Sequence, residues 1–140
     1  MSQENVEIVR AAFEAWNAWD LDALRELLVP NVVVRLPEDW PEPGPWVGRE
    51  TVIREMSEQR RVYEGEGSTV EPVSDFLDIA DRVVVRFINR GTLGGVDFTQ
   101  ELTGVYTLRN GKALGWEHFY DHAEALEAVG LSEKDAHADS

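Results

Sequence analysis

Few groups in this chain can move a proton near neutral pH, and most of them gather in one stretch. Phe98–His122 (FTQELTGVYTLRNGKALGWEHFYDH) holds His118 and His122, two of three histidines, together with Glu101, Tyr120 and Asp121. Asn110-Gly111 predicts a tight hairpin here, because a type I′ turn needs positive φ at both central residues. With a two-residue loop, Arg109 faces Lys112, Leu108 faces Ala113, Thr107 faces Leu114, Val105 faces Trp116, Thr103 faces His118 and Glu101 faces Tyr120. Paired residues share a face of the sheet. One face is then expected to carry Glu101, Thr103, Val105, Thr107, Leu114, Trp116, His118 and Tyr120. That mixture of large aromatics, one carboxylate and one imidazole suits a half-apolar pocket. The other face, with Leu102, Tyr106 and Phe119, suits sheet packing or a partner subunit.

In this register Glu101 stands one diagonal step from His118. A carboxylate there would hold the imidazole in one tautomer and raise its pKa, leaving a general base. The same pair also reads as a buried hydrogen bond without chemistry. Tyr120, or Arg86, is placed to stabilise oxyanion charge. Arg86 or Arg90, with Arg35 and Arg60, would hold an acidic or enolate-forming substrate, or would form ion pairs with neighbours such as Glu38 or Glu101. The chain is rich in tryptophan: Trp16, Trp19, Trp40, Trp46 and Trp116, joined by Tyr63 and Tyr120. They read as stacking surfaces for a planar ligand, as core, or as both. The expected ligand-binding set is Trp16, Arg35, Trp40, Met56, Arg60, Tyr63, Arg86, Thr103 and Trp116, and the expected catalytic set is His118, Glu101 and Tyr120. Strand alternation sends Asp121 away from His118, so no metal site is expected. Phosphate loops, dinucleotide fingerprints and serine-nucleophile motifs are absent, so no cofactor is expected either.

The elements that must position these groups are legible. Glu4–Trp19 reads as an amphipathic helix, with Val6, Val9, Phe13 and Trp16 at three- and four-residue spacing. Asp20 looks like the N-cap of a short helix over Leu21–Leu28, stopped by Pro30. Asn31–Leu36 reads as a strand, and Pro37–Pro45 as a proline-stiffened loop carrying Trp40, with Trp46 beside it. Arg49–Tyr63 reads as a third helix, with Val52, Ile53, Met56 and Tyr63 inward, ended by Gly65 and Gly67. Ser68–Ile79 is a strand region in which Pro72 favours an edge or a bulge. Arg82–Arg90 is a strand, with Val83, Val85, Phe87 and Asn89 on one face, and Gly91–Asp97 a turn. The hairpin follows, then a helix over His122–Val129 ended by Gly130. One domain over residues 1–131 and a disordered polar tail over 132–140 are expected. Helices early and a meander late give an α+β fold, with helices on one face of a curved antiparallel sheet.

Composition narrows the function. A formal net charge of −14 disfavours nucleic acid and anionic membranes. The absence of cysteine removes disulfides, thiolate zinc sites and cysteine nucleophiles. No stretch approaches the roughly 20 apolar residues of a membrane span, and the N-terminus lacks a basic segment followed by an apolar run. A cytoplasmic soluble protein is the expectation.

Several stretches together resemble a known family: ENVEIVRAAFEAWNAWDLDALRELLVPNVVV, VGRETVIREM, DRVVVRFINRGTLGG and YTLRNGKALGWEHFYDHAEALEAVGL. In order and spacing they resemble a SnoaL-like domain of the nuclear-transport-factor-2-like superfamily, from about Glu4 to Leu131. The resemblance implies a cone-shaped fold, with three helices packed on a highly curved antiparallel sheet that encloses an apolar pocket. It implies a homodimer packed through the outer sheet face. It implies a small hydrophobic or aromatic ligand and, where members are enzymes, cofactor-independent chemistry of the polyketide-cyclase or ketosteroid-isomerase type. The same fold also serves non-catalytic ligand binding or sensing. Limonene-type epoxide hydrolases carry an Asp two residues after the Trp of the last strand, where this chain has His118. Their Arg-x-Asp motif has no match in VVVRFINRG, which argues against that mechanism.

Overall fold

The computed structural model describes residues 2–40, 43–63 and 68–131. The expected helix stops at Gly65 and Gly67, part of the Pro37–Pro45 loop, and the 132–140 tail lie outside the described residues.

Helix α1 spans Ser2–Ala18 and α2 spans Leu21–Leu27. Trp19 turns the chain between them with φ of 55°, and Asp20 caps α2 by accepting the Ala23 N–H at 3.1 Å. The strands are β1 Leu28–Arg35, β2 Trp46–Val47, β3 Thr69–Pro72, β4 Leu77–Ile79, β5 Arg82–Leu93, β6 Val96–Arg109 and β7 Lys112–Phe119. Helix α3 covers Arg49–Arg61 and α4 covers His122–Ala128, the latter capped by Asp121. Among the described residues no helix is long and apolar enough to cross a membrane.

The fold is α+β, among the described residues four helices on a large curved sheet ordered β2-β1-β7-β6-β5-β3, with β4 also on β5. The sheet is mixed. Strand β1 lies parallel to β7, and every other pairing is antiparallel. The parallel pair arises because β1, held on one side by its sequence neighbour β2, joins the last strand, β7, on the other. Pro30 lies within β1, not at a helix stop. It falls where the β1–β7 register shifts between Leu28 and Val33, and an irregular stretch tolerates a residue with no N–H to donate. Strand β5 continues past Arg90, and the turn narrows to Gly94-Gly95, both at positive φ. Gly91 permits this. A Cβ there would meet Tyr63 at 2.8 Å, whereas the bare glycine lets Tyr63 stack on Phe98 with ring centroids 5.4 Å apart.

The main core lies between α1, α2, α3 and the inner sheet face. Val9, Phe13, Leu24, Val52 and Ile53 pack there against Val83, Val85, Phe87, Leu102, Tyr106 and Leu108. A smaller core, Val84, Val105, Ala125 and Leu126, lies under α4 on the outer face. The edge strand β3 is tied to α1 by Asn17, whose amide donates to Val70 O at 2.9 Å and accepts from Val70 N at 2.8 Å. These contacts occupy main-chain groups that an edge otherwise leaves open.

Candidate functional site: an apolar cavity with a Tyr–His pair

The hairpin sets the inner face, and one residue decides how. Asn110-Gly111 makes the expected turn, with Arg109 opposite Lys112 and Leu108 opposite Ala113. Leu114 then bulges out of the ladder, and Thr107 faces Gly115, Tyr106 faces Trp116, Gly104 faces His118 and Thr103 faces Phe119. A one-residue slip exchanges the two faces of a strand. The expected Thr103–His118 and Glu101–Tyr120 register is therefore corrected. Trp116 and His118 do point inward, but their neighbours on β6 are Leu102, Gly104 and Tyr106. The expected partner face loses Leu102 and Tyr106 for the same reason.

The inner face and the helices enclose a cavity of about 110 Å³. Its walls come from α1 (Ala12, Phe13, Trp16), α2 (Leu24), α3 (Met56, Gln59), the loop and β2 (Leu36, Trp40, Trp46), and the sheet. The sheet supplies Val70, Phe87, Asn89, Leu102, Tyr106, Trp116 and His118. Of the residues expected in the site, Trp16, Trp40, Met56, Trp116 and His118 line this cavity.

The other expected site residues stand elsewhere. Glu101 is exposed on the outer face and pairs with Arg86 at 2.9 Å, so it neither orients nor charges His118. Thr103 is buried on that face, with its hydroxyl 3.0 Å from His122 Nδ1 under α4. Arg35 is exposed at the end of β1, between inward Val34 and Leu36. Arg60 donates to Trp16 O at 3.0 Å and lays its guanidinium over Trp19, 4.4 Å from the ring centroid. It braces the helix pair and does not line the cavity. Tyr63 is held by Phe98, outside the cavity. Tyr120 lies beyond β7, 44% exposed, with its ring 6.3 Å from Trp40 at the cavity wall. Burial first, then the charge and hydrogen bond of Asp39, raise its phenol pKa, while a hydrogen bond from Gln100 opposes them. Among the described residues no three His, Asp or Glu side chains are grouped to hold a metal ion.

The chemistry of the cavity rests on Tyr106 and His118. Tyr106 Oη lies 3.4 Å from His118 Nε2, a long hydrogen bond. Phe87 meets the imidazole edge-on at 5.2 Å, and Trp116 lies 6.0 Å from the Tyr106 ring. Apolar burial lowers the His118 pKa to about 4 and pushes the Tyr106 hydroxyl well above the usual phenol range. Both groups are neutral at pH 7. Two further polar atoms in the cavity wall are buried without a partner among the described residues: Trp16 Nε1 and Asn89 Oδ1. Asn89 was legible as the one polar residue on the Val83–Val85–Phe87–Asn89 face. Tyr106 was not, because the bulge at Leu114 leaves no mark in the alternation.

Known structures with this fold include a nuclear-transport-factor-2-like protein of unknown function from Burkholderia pseudomallei. It is 24% identical over 91% of this chain and 98% of that chain, with a TM-score of 0.74. TerC, crystallised with polyporic acid, is 24% identical over 90% of this chain and 97% of that one, also with a TM-score of 0.74. IdmH from Streptomyces antibioticus, a proposed polyketide cyclase, is 23% identical over 82% and 90%, with a TM-score of 0.68. Among curated proteins none matches the chain. A model of the SnoaL-like domain matches residues 9–116, most of the described fold and the cavity strands up to Trp116, and the chain belongs to that family.

Proposed function

We propose that the chain binds a small, largely aromatic molecule bearing a carbonyl, and that the Tyr106–His118 pair moves a proton at that carbonyl. This is chemistry of the isomerase or cyclase type. The observation that carries it is the 3.4 Å Tyr106–His118 contact in a wall that is aromatic and aliphatic apart from Gln59 and Asn89. Tyr106 can turn its hydroxyl from Nε2 to the carbonyl oxygen. His118 Nε2 is then free to accept a proton from the adjacent carbon. The C–H bond breaks, the enolate forms, and its oxygen accepts the tyrosine hydrogen bond. The imidazolium, disfavoured by its surroundings, returns the proton to carbon. The fold shared with a proposed polyketide cyclase supports this reading.

Exchange of the α-protons of deoxybenzoin into deuterated water, followed by NMR, tests it. Wild-type protein should accelerate exchange, and His118→Ala should lose about 100-fold or more of that acceleration while still binding the ketone. A second reading, ligand binding without turnover, is favoured because no carboxylate among the described residues lines the cavity with His118. Binding without acceleration would select it, and no binding would refute both. Pairing of two copies is part of the same proposal, through the portion of the outer sheet face that α4 leaves uncovered. Sedimentation at micromolar concentration tests it, and a monomer there would refute it.

A further inference from the structure

Among the described residues that line the cavity, two buried polar atoms lack a partner, and they are complementary. Asn89 is 8% exposed, lines the cavity, and its Oδ1 has no hydrogen-bond partner. Trp16 lines the same cavity, and its Nε1 is buried with no acceptor. One is an acceptor and the other only a donor. Buried polar groups in folded proteins are almost always satisfied, so such a pair asks for an occupant that serves both.

The fold brings the segments that carry the two together at β3. Asn89 sits directly opposite Val70 in the β3–β5 ladder. Val70 is held through its backbone N–H and carbonyl by Asn17, the residue next to Trp16. The Tyr106–His118 pair belongs to a different row. His118 faces Gly104, and Gly104 faces Val85, four residues before Asn89 on β5. Four strand residues span about 13 Å, beyond the reach of one hydrogen-bonding group.

We infer that Trp16 and Asn89 form a second polar subsite that recognises a hydroxyl group at the far end of the ligand. The hydroxyl donates to Asn89 Oδ1 and accepts from Trp16 Nε1–H, while the carbonyl lies at Tyr106. A hydroxyl is a group that can do both at a single atom. The substrate class narrows to aryl ketones that carry a hydroxyl on the ring remote from the carbonyl. The inference rests on the carbonyl-binding reading above and deepens it. A site built to hydrogen-bond a hydroxyl discriminates strongly against the analogue that lacks it, because its own polar atoms then stay unpaired.

The test uses three probes: deoxybenzoin, and its analogues with 4-hydroxy or 4-methoxy on the benzyl ring. Binding to the full chain is read from quenching of tryptophan fluorescence. The hydroxy probe should bind about tenfold tighter than either of the others. Asn89→Leu should erase that preference, read as the ratio of the three probes' affinities within the same variant. Trp16→Phe, which keeps an aromatic ring in the wall and removes the indole donor together with part of the ring, should reduce the preference as well and covers the case that Asn89→Leu does not fold. Equal binding of all three probes overturns the subsite and leaves the carbonyl reading standing. A hydroxyl preference that survives in the folded variants also overturns the subsite. Failure of all three probes to bind overturns both.

Discussion

Tyr106 lies folded over Gly104, so close that a Cβ on the glycine would stand 2.6 Å from the tyrosine ring and 2.7 Å from its hydroxyl oxygen. Gly104 is also the residue directly across the ladder from His118. The missing side chain is therefore what lets the tyrosine lie flat on the sheet and reach Nε2. Gly104→Ala should force the Tyr106 ring away from the imidazole. The expected cost is about 1–3 kcal/mol in urea unfolding, the usual range for overpacking a buried site. Deoxybenzoin binding should weaken in the same variant. Unchanged stability and binding would contradict this placement of the ring.

The depressed His118 pKa makes a stability prediction with a definite sign. The folded value is about 4 and the ordinary value is 6.5, so between these two the unfolded chain binds the extra proton. Stability from this group is fully present above the unfolded pKa and is lost as pH falls through the window from 6.5 to 4. Between pH 7 and pH 4.5 the loss should be about 2 kcal/mol from His118 alone. Carboxylates contribute their own acid sensitivity, so the comparison is between wild type and His118→Phe under identical conditions. The variant should lack this part of the pH slope. An identical slope in both proteins would show that the imidazole does not sit in an apolar site.

How far the sequence could be read is clearest along β6 and β7. Trp116 and His118 were legible as inward residues, and the Asn110-Gly111 turn as their anchor, because turn chemistry and strand period are local. The bulge at Leu114 was not. It depends on how β7 meets β1 and β6 together, and nothing in the local pattern announces one extra residue. That single residue removes Glu101 from the site and brings in Tyr106. The helix faces of Trp16 and Met56 were legible from their spacing. The orientations of Arg35, Arg60 and Arg86 were not, since a long cationic side chain suits an outer ion pair as well as a pocket.

The relocation of Glu101 has its own consequence. Its partner Arg86 and Glu101 itself are 37% and 55% exposed as side chains, and such pairs contribute little. Glu101→Gln should change stability by less than about 1 kcal/mol and leave the pH dependence of His118 intact. Loss of α-proton exchange in this variant would restore the carboxylate to the site and refute the register.

Gly115 provides the sharpest contrast with Gly104. A Cβ on Gly115 would lie 2.2 Å from the carbonyl oxygen of Val33, its partner in the parallel β1–β7 pairing. At Gly104 the obstacle is a side chain that can rotate. At Gly115 it is the backbone of the neighbouring strand, held on its other side by β2 through the Val33–Val47 pairing. Strand β1 cannot retreat without breaking one ladder or the other. Gly115→Ala should therefore cost about 3 kcal/mol or more, at or beyond the upper end for overpacking. The damage should appear as faster amide hydrogen exchange in β1 and the adjoining half of β7, with β5 and the distal part of β6 protected as before. If Gly115→Ala proves no worse than Gly104→Ala, the close parallel approach of β1, and with it the bulge that turns Tyr106 toward His118, is misplaced.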